Sequence, residues 1–367
     1  AQHIYETTMI WGDIPFTEAW IEGVKYPKFD SQEVVLNGVV SLLDEALNEI
    51  NLDDPLAITD YDIFYKGDMQ KWIRLAKSLK FRTLMTMVDK DPTKACRETA
   101  GLSKAEQIGK LISDGGMISS ADDNLQFPYL QTAGNENPKY KILEKYTNGI
   151  NIMFFANNNV LKPMQERNDS RISRYFEPGA DGVYRGLDTR QAAEETDDEN
   201  ADLLSSVISK YLFRKEAPEL IYSYQEQLFF EAEAYVRGLG VTSNLVKANE
   251  LYKKAIQTAC DYYEADPVKT TEFIDALDDL NTLEPDRALY EIHIQQWIDL
   301  MDRPLEEFVQ WRRSGSNGNE VPVLTVPTEA TSRELIRRWE YSPEEMTANP
   351  NAPKESPKIW EKMWFDL

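Results

Sequence analysis

Apolar residues recur every three to four positions through several long segments of this chain. That period predicts amphipathic helices. Over residues 30–50 the stripe is Val35, Val39, Leu42, Leu43, Ala46, Leu47 and Ile50, with Asp30 and Glu33 placed as an acidic variant of a capping box. Over 67–88 it is Trp72, Leu75, Ala76 and Leu79, with Asp68 as N-cap. A proline-containing loop joins these two segments, so they can pack as an antiparallel pair. A second pair follows. The segment 217–240 opens with Pro218 and stops at Gly238, the usual helix asymmetry, and 245–263 carries Ala248, Leu251, Tyr252, Ala255 and Ala259 on one face. The small-aromatic-small order of Ala248, Tyr252 and Ala255 matches the second helix of a tetratricopeptide repeat, where small side chains let a neighbour approach closely. A third pair is predicted in "EPDRALYEIHIQQWIDLM" and "RPLEEFVQWRRSG", each with a proline near its start. The chain opens on "QHIYETTMI", helical in its spacing at Ile4, Thr8 and Trp11, and turns at once through "WGDIPFTEAW".

The texture changes between residues 113 and 218. Gly, Asn, Asp and aromatic residues dominate, punctuated by Gly115-Gly116, "NENPKY", "EPGADGVYRG" and the acidic run "EETDDEN". One or two short helices among irregular loops are expected here, one of them near "KPMQERNDSRISRYF". The tail from residue 316 is proline-rich, with "VPVLTVP" as a candidate edge strand. The chain thus divides into N-terminal helices (1–112), a loop-rich region (113–218), repeat-like helix pairs (219–315) and a wrapping tail (316–367). Long loops on a helical scaffold commonly carry function.

Composition narrows the function classes. The 367 residues are 42% hydrophobic and 11% aromatic, as a folding chain requires. Forty basic residues against sixty-three acidic ones leave a net charge of −23. Such a field repels phosphate backbones and anionic headgroups, which argues against nucleic acid as a partner. Cys96 and Cys260 lie on separate predicted helices and are expected to be free thiols. No apolar run approaches a membrane span and no signal peptide is visible. Because the pattern opens inside a helix, an N-terminal piece that carries targeting information is expected to precede it.

Catalytic apparatus is scarce. Of the two histidines, His293 falls on a helix stripe beside Leu289, Ile292 and Gln296 and is expected to be structural, since a general base needs a positioned partner. No HExxH, Walker A, GxGxxG or GxSxG pattern occurs, and "SGSNGN" at Ser314 reads as a helix-ending loop. Carboxylates are abundant, so a glycosidase-type pair is a rival reading that count alone does not remove. Asp122-Asp123 and the run from Glu194 to Glu199 are expected as solvated loops. Either would suit a structural calcium ion, although neither has EF-hand spacing, and no catalytic residue, cofactor or metal ligand is assigned. The loop aromatics stand out instead: Trp20, Tyr26 and Phe29 after the opening turn, then Tyr129, Tyr140, Tyr175, Phe176 and Tyr184 in the irregular middle. A flat ring on the apolar face of a sugar, with Asn, Asp or Arg beside it for the hydroxyls, makes a physically sensible pocket. The alternative, that each ring caps the core beneath its loop, stays open.

In order along the chain, "WGDIPFTEAW", "PKFDSQEVVLNGVVSLLDEAL", "YKGDMQKWIRLAKSLKFRTLM", "NDSRISRYFEPGADGVYRGL", "YSYQEQLFFEAEAYVRG", "YEIHIQQWIDLM…EEFVQWRRSG", "LIRRWEYSPEEMTANPN" and "KIWEKMWFD" resemble the successive segments of the SusD/RagB family of outer-membrane lipoproteins of Bacteroidetes, in its SusD-like branch. The matching segments span nearly the whole chain. Two departures, at Leu228 to Phe230 and at "NDSR" where the family has "DPR", concern local loops. The resemblance implies one mainly α, SusD-like domain over 1–367, built on tetratricopeptide-like helix pairs with an irregular region laid over them. It implies no catalysis. It implies a lipid-anchored protein at the cell surface that caps a SusC-like TonB-dependent transporter and hands it an oligosaccharide or, in some branches, a peptide. Trp20, Tyr26, Tyr129, Tyr175, Tyr184 and Arg185 are the candidate ligand-facing residues. A peptide-binding relative, or a tetratricopeptide-type scaffold for protein partners, is the alternative.

Overall fold

The computed structural model describes residues 1–52, 59–94, 101–147, 154–188, 204–314, 320–326 and 332–366. Helices dominate it: α1 (Gln2–Trp11), α2 (Gln32–Glu49), α3 (Met69–Met87), α4 (Lys104–Asp114), α5 (Pro138–Thr147), α6 (Asn158–Glu166), α7 (Ile172–Tyr175), α8 (Tyr224–Arg237), α9 (Leu245–Tyr262), α10 (Pro267–Ala276), α11 (Pro285–Leu300), α12 (Pro304–Arg313) and α13 (Pro343–Ala348). Strands are short and paired in antiparallel twos. β1 (Ile14–Pro15) meets β2 (Phe29–Asp30), β3 (Leu125–Phe127) meets β6 (Glu219–Tyr222), and β4 (Phe176–Glu177) meets β5 (Val207–Ile208). The mainly α class expected from the periodicity is the one observed.

The predicted pairs pack as pairs. Helix α2 lies on α3, and α8 lies on α9 and α11. Leu36, Val39 and Val40 of α2, Leu79, Leu84 and Met85 of α3, and Phe229, Ala232 and Ala234 of α8 are buried in one core. Ala248, Tyr252 and Ala255 are buried in the same core, so the repeat-like spacing serves close helix approach. Asp68 caps α3 by accepting from the Lys71 N–H, and Gly238 closes α8 in the left-handed conformation.

Three local expectations are corrected. Ser31, not Asp30, caps α2, because the Asp30 carboxylate is drawn back to the turn after α1. Helix α8 starts at Tyr224 with Ser223 as its cap; residues Glu219–Tyr222, read as its first turn, form β6 instead, since pairing with β3 satisfies their backbone across the chain. "VPVLTVP" forms no strand in its described part, 321–326.

A second core lies under the irregular middle. Leu161 and Met164 of α6, Tyr175, Phe176, Leu212 and Phe213 pack with Trp297 and Ile298 of α11 and Trp311 of α12. Residues of 154–188 and 204–213 thus share a core with the last helix pair rather than lying loose over it. One buried charged cluster centres on Glu233. Glu233 accepts from Arg313 at 2.7 Å and from Arg237 at 2.8 Å, and His293 Nε2 lies 3.2 Å from it. Burial pushes the His293 pKa down, which keeps the ring neutral in its structural place. Cys260 is a buried free thiol beside Ser170, while Cys96 and the Glu194 to Glu199 run lie outside the described residues. Asp123 is not a solvated loop residue: it is buried and pairs with Arg74 at 2.9 Å.

Candidate functional site

The opening turn is built from both ends of the chain. Gly12 ends α1 at φ 82°, a conformation that favours glycine, and the Arg338 guanidinium lies where a Cβ would point. Arg338 donates to the Trp11 carbonyl, the Trp339 N–H to the Ile10 carbonyl at 2.9 Å, and the Tyr341 hydroxyl to the Asp13 carbonyl at 2.7 Å. The exposed carbonyls at the end of α1 are therefore met by the tail. On the other side, Asp13 accepts from the Gln32 N–H at 2.8 Å, and the Ile14–Pro15 strand pairs with Phe29–Asp30. Residues 16–28 must then leave and return as a loop.

That loop, α1 and α13 enclose a cleft of about 580 Å³, in the size range of small-ligand sites. Trp11, Trp20, Tyr26, Phe29 and Tyr341 line it, with Lys25, Ser342 and Glu345 as polar neighbours. Trp20 is 75% exposed and Tyr26 43%, unusual for large rings that no core requires to stay outside. Phe29 and Tyr341 meet edge to face at 5.1 Å and form the floor. Burial raises the Tyr341 hydroxyl to about 12, so it remains a donor to Asp13. The tail also holds the loop's backbone. Asn349 donates to the Pro27 carbonyl at 2.9 Å and Asn351 to the Tyr26 carbonyl at 2.7 Å. A surface of this kind offers ring faces for stacking on an apolar ligand face and a few donors and acceptors at its rim.

The six predicted positions do not converge. Trp20 and Tyr26 share the cleft. Tyr129 is half-buried and packs on Phe127 at 5.0 Å, in a separate aromatic group with Phe64 and Trp72. Tyr184 is half-buried against the second core, and exposed Arg185 pairs with Asp181 at 2.7 Å. Tyr175 is corrected: at 1% exposure, packed on Tyr263 at 4.8 Å, it is a core residue with no ligand-facing surface. The expectation overlooked Trp11, Tyr341 and Glu345. Trp11 carried a local signal, being the ring on the helix side of the turn; Tyr341 and Glu345 carried none, since nothing local ties them to a loop more than 300 residues away.

Among the described residues, no group of three or more His, Cys, Asp or Glu side chains is placed to hold a metal ion, and no helix is long and apolar enough to cross a membrane.

Solved structures share this architecture. A chitin-binding protein superimposes with a TM-score of 0.81 at 22% identity, covering 99% of this chain and 78% of that one. A SusD homolog from Bacteroides fragilis gives 0.76 at 21% identity, with 99% and 81% covered. A chitin-binding SusD homolog from Flavobacterium johnsoniae gives 0.74 at 18% identity, with 99% and 78% covered. These likenesses establish the fold. No curated protein matches the chain in sequence. A family profile described as "starch-binding associating with outer membrane" matches residues 1–342, so the chain belongs to this SusD-like family.

Proposed function

We propose that this chain is a non-catalytic nutrient-binding protein of the outer-membrane surface, held there by a lipid, that captures an oligosaccharide and passes it to a SusC-like TonB-dependent transporter. Trp20 and Tyr26 are its ligand-facing pair. The observation that carries the reading is the cleft itself, with two exposed rings on a loop whose backbone the tail holds in place. Membership of a starch-binding, outer-membrane family supports carbohydrate as the ligand class and the outer membrane as the location. The chitin-binding solved structures bear on the choice of first ligands to try.

Affinity electrophoresis against starch, chitin oligosaccharides and plant and host glycans tests the proposal, with a peptide mixture in parallel. Retardation by one glycan, lost on Trp20→Ala and Tyr26→Ala but kept on Tyr129→Ala, Tyr184→Ala and Arg185→Ala, is the expected result. Retention of binding by Trp20→Ala would remove the cleft assignment. Binding of peptide alone would replace the ligand class. Co-purification with the transporter tests the partner.

A further inference from the structure

We propose that the cavities flanking Glu307 form a second ligand site, separate from the Trp20–Tyr26 cleft, that takes a molecule presenting a primary ammonium group. Glu307 lies on α12, at the wall between two cavities of about 510 Å³ and about 390 Å³. Trp297, Leu324 and Leu335 line both, and Phe308 and Trp311 line the larger. Glu307 Oε1 is buried and has no hydrogen-bond partner among the described residues.

The contrast with neighbouring carboxylates is what points to a ligand. Glu306, one residue earlier, faces Arg82 at 3.2 Å. Asp299 is met by Arg303 at 2.7 Å. The two arginines nearest the aromatic wall are already committed. Arg312 lies on the Phe308 ring at 3.8 Å and donates to the Met9 carbonyl; Arg337 lies on Trp311 at 4.4 Å and pairs with Asp366 at 3.0 Å. Glu306 and Asp299 each face an arginine, Asp62 is met by backbone N–H groups and Trp72, and Glu307 Oε1 has neither. Glu307 is half-buried as a residue, but its Oε1 is shut off from water, and a buried polar atom left without a partner is costly. Burial alone, with no cation to oppose it, lifts the Glu307 carboxyl to about 8.

A primary ammonium supplies what is missing. It pairs with the carboxylate at the cavity wall, and the rings beside it add cation–π attraction. The net charge of −23 draws cations toward the surface and turns anions away. The larger cavity has room for a single sugar ring or a lysine-length chain against Trp297 and Leu335. Both an amino sugar and a lysine side chain carry this chemistry.

The test titrates the full chain at pH 7 with glucosamine and with Nα-acetyl-lysine methylamide, following tryptophan fluorescence and heat. N-acetylglucosamine and Nα-acetyl-norleucine methylamide are the uncharged controls. The expected result is saturable binding of at least one amine, which identifies the source, with no binding of its uncharged analogue. Glu307→Gln should weaken that binding tenfold or more. Leu324→Trp, which fills the cavity and leaves the acid in place, should abolish it, and Trp20→Ala should leave it unchanged. Absence of binding by both amines, equal binding of the uncharged analogue, or undiminished binding by Glu307→Gln would overturn the proposal. Because Trp20→Ala is included, failure here is distinguishable from failure of the glycan cleft.

Discussion

The Asp30 carboxylate accepts two hydrogen bonds from Thr17, from its N–H at 2.7 Å and from its hydroxyl at 2.8 Å. That pair closes the base of the loop that carries Trp20 and Tyr26. Burial opposes the Asp30 charge, but the Thr17 bonds and Lys28 outweigh it, and the pKa falls below its ordinary value. The stabilisation is therefore present above the unfolded carboxylate pKa and is lost as pH falls through the lower folded value. Asp30→Ala should cost about 1–3 kcal/mol at pH 7. Denaturant titrations should show that cost shrinking below about pH 4, where the carboxyl of the unfolded chain protonates while the folded one is still ionised.

Asn349 holds the loop that carries Trp20 and Tyr26 without adding a ring to it. Its side chain is buried, donates to the Pro27 carbonyl and to Glu345, and accepts from the Asn351 N–H at 3.0 Å. Asn349→Ala leaves Trp20 and Tyr26 intact but frees the backbone between them and the tail. Affinity for the glycan should fall several-fold, in line with about 1 kcal/mol for one lost bond. Hydrogen exchange should rise in residues 20–28 and stay unchanged in α8 and α9.

Gly109 is a helix-interior glycine whose replacement by alanine would ordinarily help by about 1 kcal/mol. Here the effect should reverse. A Cβ at Gly109 would lie 2.0 Å from the Gly240 carbonyl oxygen, and Gly240 itself sits at φ 65° against the Ala105 backbone. Two backbones touch, and neither can swing aside as a side chain would. Gly109→Ala should destabilise by about 2–3 kcal/mol, measured as a lowered denaturation midpoint. Gly101→Ala has free space at its Cβ but a φ of 77°, so its cost is conformational only and smaller.

Glu307 also makes a prediction about stability in the absence of ligand. Its folded pKa is raised to about 8 by burial. A raised acid pKa means stability is greatest below the unfolded value and is lost as pH climbs through the folded one. Glu307→Gln removes that loss. The variant should be more stable than wild type by about 1–3 kcal/mol at pH 9, with the gap closing toward pH 5. Thermal melts across that range check the sign.

Local rules were enough for the scaffold. Val35, Val39 and Leu43 of α2, Leu75, Ala76 and Leu79 of α3, and Ala248, Leu251, Tyr252, Ala255 and Ala259 of α9 are buried as their spacing required, because helix geometry sets which side chains share a face, while Leu42, Ala46, Leu47 and Ile50 at the end of the first stripe and Trp72 are only half-buried. Asp68 and Gly238 cap where expected, since capping depends only on the adjacent turn. Trp20 and Tyr26 are legible for a related reason: large rings between turn residues, outside any apolar period, have no helix face to join. What the tertiary structure decided are choices between partners distant in sequence. Tyr175 stood among the same kind of loop aromatics, yet it is buried in one core with Trp297 and Ile298 of α11 and Trp311 of α12. Asp30 sits where a helix cap belongs, yet a turn thirteen residues earlier claims its carboxylate. The cleft needs Tyr341 and Asn349, brought to the opening turn from more than 300 residues along the chain. Glu306 and Glu307 are adjacent and chemically alike, and only the packing gives one of them an arginine and leaves the other facing a cavity. Burial and partnership are properties of the assembled core, so no local period in the chain encodes them.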